Sequence, residues 1–563
     1  VTPYGIATCA RRLDREIRST GAVPFFAAYE RAELTAGLSL RCHLKFICEH
    51  QLHAQQTRTA RVTHDRWEKF SMKRLLFAVA MGAAVSANAA DFGQKVEALA
   101  KSQTLSLYGT AGTLTASSST SLSKAAAEAN PAGLLTVAPG LSVRVVSANA
   151  GTAANIDQMV LWPNDTNPTH IIACNEQDGT KVAVQRINLA TGVAEDILVA
   201  GTAADPGMNT CDPVRKTPWG TIIVGEETDT GRVFEILDPL TTTGVSIHGS
   251  LGTTTTSDPS KVVYRPALGS LAFEGLAVLP NGVIYMTDEN RPGNGNVAGA
   301  MFKFIPTNLW TAGAPITDLA SSPFSSGRIF GFRAGRNSSN TDFGQGNEFG
   351  RGVWVEVTGV APIGLRAAAN SLKLTGYYRP EDAELDATAL AAGNVRFCGT
   401  NTGQDVPATS SNGDNHFGEV YCFRDGTIAA AGTIITTTQT TAGNTYTINT
   451  ASVPEYQPLV IGNVDFAMMD NIARSPLKGF FVLNEDGEGP TYATARNNDI
   501  WACLDDGADA DNLSDACVKL MTLNDLTAES TGGVFDGTGK RYFVSIQHNI
   551  TGHGVVLEVT GWQ

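Results

Sequence analysis

The stretch "FEGLAVLPNGVIYMTDENRPG", residues 273–293, decides the fold. An apolar run, a Pro-Asn-Gly turn and a second apolar run predict two antiparallel strands joined as a hairpin. Glu274 opens the first strand, and Asp288 and Glu289 close the second, so pairing brings carboxylates of both strands to one end. Neighbouring carboxylates repel and raise one another's pKa, so such a gathering needs something to compensate it.

The pattern recurs on both sides of this hairpin. "HIIACNEQDG" is a strand ending in Asn175-Glu176, and "TPWGTIIVGEETDTGRVFEI" holds one ending in Glu226-Glu227. "RPEDAELDATALAAGNVRFCGTN" restarts with Glu381, and "MDNIARSPLKGFFVLNEDGEG" runs from Asp470 to Glu485-Asp486. "TGGVFDGTGKRYFVSIQHNITGHGVVLEVTGW" repeats the design with Gln547-His548 in place of acids. The unit is a strand, a Gly-containing turn, a strand with a polar tip, a glycine-rich loop and an outer strand, repeated about six times. Small sheets that bury their faces on one another predict an all-β propeller over residues 134–563. More than 400 residues of repeating strands strain the rival β-sandwich. Insertions at 310–375 and 425–460 are expected as surface loops, with a threonine-rich hairpin at 433–450.

If the inner strands line one axis, Glu176, Glu226, Glu227, Glu274, Asp288, Glu289, Glu381, Asp470 and Glu485 approach one another at the channel mouth. Bound cations would compensate such a set, and its hard oxygen donors favour Ca²⁺.

"MKRLLFAVAMGAAVSANAA", from Met72, has a basic start, a short apolar stretch and small residues before a cleavage point, which predicts a signal peptide over 72–89. Residues 1–71 then read as mistranslated upstream sequence outside the fold, and 90–133 as a helix-prone, partly mobile, Ala/Ser/Thr-rich lead-in. The apolar stretch is too short for a comfortable membrane span. Residues 1–71 carry four more bases than acids and the signal adds two, so the net charge of −14 becomes −20 for the remainder. Such a surface repels nucleic acid and anionic lipid. The expected location is periplasmic or secreted, as a monomer.

Six cysteines follow Met72, an even number suited to disulfides in an exported chain. Cys398 with Cys422 and Cys503 with Cys517 are plausible local pairs, leaving Cys174 and Cys211 as a third bridge or as reactive thiols. No His-Glu-x-x-His, Gly-x-Ser-x-Gly or Walker A motif is present, which argues against a zinc helix, a serine elbow and a nucleotide loop. His548 reads better as a core or turn histidine than as a site residue.

Four segments resemble the PhoX-type alkaline phosphatases: "TPWGTIIVGEE", "ALGSLAFEGLAV…GVIYMTDEN", "YRPEDAEL" and "ESTGGVFDGTGKRYFVSIQHN". The resemblance implies a six-bladed propeller whose calcium and iron ions act in phosphate monoester hydrolysis. It implies iron ligation by Cys211 and Glu274, a phosphate clamp at Arg379 and a metal ligand at Glu381; Glu226 or Glu227, Asp470 and Glu485 match acidic family positions less closely. Glu176 joins the metal set from the residue pattern alone. The family's glycine-rich continuation after the cysteine is replaced by "CDPVRK", placing Arg215 and Lys216 near the expected site, and Phe273 stands where a histidine often precedes the glutamate. A Cys174–Cys211 bridge would remove the thiolate from iron and favour Ca²⁺ over Fe³⁺. The export signal also differs from the family's twin-arginine type. The expected activity is hydrolysis of a small phosphorylated substrate. The alternatives are a non-catalytic calcium-stabilised propeller that binds a ligand or partner, and another calcium-propeller hydrolase such as a lactonase.

Overall fold

The opening stretch folds as its pattern dictates. Phe273–Val278 pairs antiparallel with Ile284–Asp288, Ala277 opposite Tyr285. Gly282 turns the chain at φ +86°, a conformation that costs glycine least, and donates its N–H to the Leu279 carbonyl at 2.9 Å. Met301–Pro306 and Gly327–Ala334 then extend the sheet outward. In this computed structural model residues 94–563 are described, apart from 293–296, 336–348, 404–416, 442, 488–495 and 508–510. The upstream region and signal peptide expected over 1–89 lie outside the described residues.

Six strands are the innermost members of such antiparallel meanders: Ile156–Trp162, Cys211–Lys216, Phe273–Val278, Pro380–Leu385, Met469–Arg474 and Glu529–Phe535. Each contacts the next, and the last contacts the first, so they form a ring around one axis. The architecture is a β-propeller. N-terminal strands close it: Leu135–Val137 pairs with Cys517–Leu523, and Ser142–Ala148 pairs with Val555–Thr560. Sheets covered on both faces explain why "LAV" and "VIYM" read as continuous apolar runs instead of alternating ones; every residue of both hairpin strands is buried.

Two expectations are corrected here. The insertions are not simply surface loops: Gly350–Val357 pairs with Gly327–Ala334 and also with Glu455–Ile461, joining two blades into one continuous sheet. Its Trp354 is fully buried and donates its indole N–H to Asp425 at 2.9 Å. The expected threonine-rich hairpin is present as Thr436–Thr441 with Asn444–Asn449. The lead-in, expected as partly mobile, is docked: Tyr108 is fully buried, and Leu114 and Leu122 donate backbone N–H groups to Lys519 and Asn524 at 2.9 Å. The apolar side chain and satisfied backbone groups supply what holds it. Cys398–Cys422 and Cys503–Cys517 are bridged as expected, and Cys174 is bridged to Cys211. No helix of the described residues is long and apolar enough to cross a membrane.

Candidate active site

The site is built by one irregularity repeated around the ring. Every inner strand loses register with its partner: five at their start, between Ile156 and Met159, Cys211 and Val214, Phe273 and Leu276, Pro380 and Ala383, and Met469 and Ile472, and the sixth in its middle, between Thr531 and Val534. Such bulges bend a strand and re-aim its side chains. In five of the six the second strand residue is an acid: Asp157, Asp212, Glu274, Glu381 and Asp470. All five are buried. Gly275 allows two of them to meet, because a Cβ there would lie 2.4 Å from the Glu381 carbonyl. Its N–H instead donates to Thr287 Oγ1 at 2.7 Å.

The polar tips of the second strands obey a pair rule. In three units the first member is an acid that faces into its own blade and holds an arginine: Glu226 pairs with Arg232 at 2.6 Å, Asp288 with Arg366 at 2.7 Å and Glu485 with Arg496 at 2.6 Å. The second member lies on the axial side. Glu176, Glu227, Glu289, Thr402 and Asp486 donate their N–H groups to the carbonyls of Asn155, Thr210, Ala272, Arg379 and Met468, at 2.7–2.9 Å. Each acceptor is the residue immediately before an inner strand, so one backbone bond sets both a tip residue and a bulge acid.

These groups enclose a cavity of about 570 Å³ lined by Asp157, Glu176, Asp212, Glu227, Arg379, Glu381, Asp470, Asp486, Asn498, Glu529 and His548, with Leu526, Thr527 and Ala528 along one wall. Oxygens of Asp157, Asp212 and Glu274 lie within 4.8 Å of one another, as do those of Glu176, Asp212 and Glu227. A third group joins Glu176, Glu529 and His548 at the same spacing. Buried carboxylates packed this closely repel unless a proton or a cation lies between them. Asp212 Oδ1 and Glu274 Oε2 are buried without a hydrogen-bond partner, a costly arrangement for either oxygen. Burial first, and then mutual repulsion, hold Asp157, Asp212, Glu227, Glu274, Glu381, Asp470 and Glu529 well above the ordinary carboxylate range. Orphaned oxygens in an almost all-carboxylate donor set suit hard cations such as Ca²⁺.

Arg379 faces this charge from the loop before Pro380. Its Nε donates to Glu289 at 2.7 Å, and Nη2 lies 3.2 Å from Glu381 and 3.6 Å from Asp486. Burial opposes its charge, but Glu381, Asp486, Glu289 and Asp470 override that and raise its pKa well above the usual value. Its φ of +52° is strained for a residue preceding proline and costs on the order of 1–3 kcal/mol. The Thr402 N–H on its carbonyl helps to fix that backbone.

Of the residues expected from the sequence, Glu176, Glu227, Glu274, Glu381, Asp470 and Arg379 come together here. Glu226 and Glu485 are held apart as the blade-facing members of their pairs, and Cys211 is bridged, so in this state it offers no thiolate. His548 is the turn residue expected, at φ +53°, and it also stands half exposed on the cavity wall, 3.1 Å from Glu529. Arg215 lies below the acids on Gln158 and Asp382, and Lys216 pairs with Asp165. Asp157, Asp212 and Glu529 were missed as ligand candidates, and Asp486 was noted only as the second half of its pair. An acid at the second position of five of the six inner strands was the signal for the first two.

The sequence matches the family described as alkaline phosphatase PhoX over residues 199–549. The fold is similar to PhoX of Pseudomonas fluorescens in complex with vanadate, a transition state analogue, with TM-score 0.51 and 16% identity over 79% of this chain and 97% of that one. The PQQ-bound aldose sugar dehydrogenase of Streptomyces coelicolor aligns with TM-score 0.36 and 12% identity, covering 75% of this chain and 98% of that one. The WD40 β-propeller domain of Doa1 aligns with TM-score 0.32 and 10% identity, covering 74% and 97%. No curated protein sequence matches the chain. With well over half its length matched, the chain belongs to the alkaline phosphatase PhoX family, and its activity class is that of a phosphomonoesterase.

Proposed function

We propose that the axial cavity hydrolyses small phosphate monoesters with hard divalent cations, calcium foremost, held by Asp157, Asp212, Glu227, Glu274, Glu381 and Asp470. The observation that carries this reading is the convergence of bulge acids with orphaned buried oxygens around one arginine. Bound there, such cations supply Lewis acidity toward phosphoryl oxygens. The protein's own groups do the rest. A phosphate would meet repulsion from these carboxylates, so Arg379 is the group that orients it, its planar fork offering paired donors where an ammonium offers a point charge. Glu289 and Asp486 hold that fork in place. Leu526, Thr527 and Ala528 form the wall against which the ester's organic group would lie. The ring of six inner strands is read as six blades. The three disulfides support a periplasmic or secreted location, and the chain is expected to act as a monomer.

The test is elemental analysis of the purified chain beside its hydrolysis of p-nitrophenyl phosphate, before and after chelation. Stoichiometric calcium, with turnover lost to chelator and restored by calcium, is the expected result. Stoichiometric iron would mean that the Cys174–Cys211 bridge opens and Cys211 ligates. Turnover unaffected by complete metal removal would sink the proposal, and bound calcium without turnover would leave a calcium-stabilised binding propeller.

A further inference from the structure

One pleat below the bulge acids lies a second polar layer, containing Gln158 and Asp382, and Arg215 reaches across the channel to both. Its Nη1 donates to Gln158 Oε1 at 2.5 Å, while Nη2 ion-pairs with Asp382 and donates to the Ala383 carbonyl at 3.0 Å. The Gln158 side chain is almost wholly buried and donates from Nε2 to Glu274 Oε1 at 3.1 Å. An amide has one accepting and one donating end. With its oxygen committed to a guanidinium, Gln158 can present only its NH₂ to Glu274; turned over, it would set oxygen against oxygen beside the already orphaned Glu274 Oε2. Asp382 in turn holds Arg215 in the lower layer, its other oxygen accepting the Ile472 N–H at 3.2 Å.

We propose that Arg215 is a positioning residue for the axial site, acting through Gln158 to fix the orientation of Glu274. This rests on the cation-site reading above. It also gives the "CDPVRK" segment a purpose: the arginine is a prop beneath the acids and touches no substrate. Groups that orient a metal ligand from outside typically change affinity 10- to 100-fold when removed.

The experiment is calcium titration by calorimetry on chelator-stripped full-length protein. The variants are Gln158→Met, Arg215→Met made together with Asp382→Asn so that no lone charge is buried, and all three changes combined. Gln158→Met and the paired variant are each expected to weaken calcium about tenfold, and the combination no further, because both break one relay. Wild-type affinity, within twofold, in the paired variant would make Arg215 a mere strut and overturn the proposal, as would losses that multiply in the combination. If the paired variant does not fold, Arg215→Lys replaces it, with an intermediate affinity expected and wild-type affinity overturning. A wild-type chain that takes up no calcium refutes the cation site separately. The relay is then judged from unfolding midpoints in chelator, where additive losses from Gln158→Met and the Arg215 variant overturn it.

Discussion

Seven acids of the axial cavity, Asp157, Asp212, Glu227, Glu274, Glu381, Asp470 and Glu529, share one direction of shift, upward, with burial as the leading cause. The perturbation to make is cation removal across a pH series. A carboxyl whose folded pKa lies above its unfolded value binds more protons folded than unfolded. Its contribution is therefore fully present below about pH 4, the unfolded value, and is lost as pH rises through the folded one. Above that range the buried carboxylates ionise against one another, which costs the fold stability. A bound cation relieves this repulsion, and ligand at 100 times its dissociation constant adds about 2.7 kcal/mol. The assay is thermal unfolding from pH 5 to pH 8, in chelator and in millimolar calcium. The Tm gap between the two conditions should widen with pH and reach several degrees at pH 8. Taking the difference removes groups outside the cavity, such as Asp386, whose pKa is lowered despite burial by Arg396, the Ala389 N–H and Arg474. A gap that is absent, or that narrows as pH rises, would refute the argument that these acids are held for a cation.

Arg379→Lys should lower kcat/KM for an aryl phosphate about 10- to 100-fold while leaving Tm within a few degrees; unchanged kinetics would remove Arg379 from the phosphate site. The pair rule predicts opposite outcomes for adjacent residues. Glu226→Gln, which weakens a buried arginine pair, should lower the unfolding midpoint and spare calcium affinity, whereas Glu227→Gln should weaken calcium with little loss of stability. Identical behaviour of the two in calorimetry and urea unfolding would dismiss the rule. Lys303 and Asp425 form a fully buried ion pair 2.7 Å apart, to which Tyr285 and Trp354 also donate. Lys303→Met should cost about 3–5 kcal/mol in urea unfolding because it strands a buried carboxylate, and a loss below about 1 kcal/mol would contradict that account.

The sequence by itself determined the propeller and the side of it that matters. Apolar hairpins such as 273–293, repeated with polar tips, could bury their faces only on one another, and that local regularity is written in residue order. It also located Glu176, Glu227, Glu274, Glu381 and Asp470, because acids at strand ends are visible without knowing what lies opposite, while Arg379 came from the resemblance of "YRPEDAEL" to the family's element. Tertiary structure alone decided which member of each tip pair faces the axis. Glu226 and Glu227 are chemically alike, and only the positions of Arg232 and of the Thr210 carbonyl separate them. Asp157 and Asp212 share the bulge position of Glu274, Glu381 and Asp470, and that equivalence shows only in the paired strands, because bulges break the two-residue alternation from which strand faces are read. Cys211 could have been thiolate or disulfide from sequence, and the answer depended on Cys174, 37 residues away. Arg215 could be read only as a charge near the site until the fold brought Gln158, Asp382 and Glu274 around it, since a relay through three strands exists only once those strands are side by side.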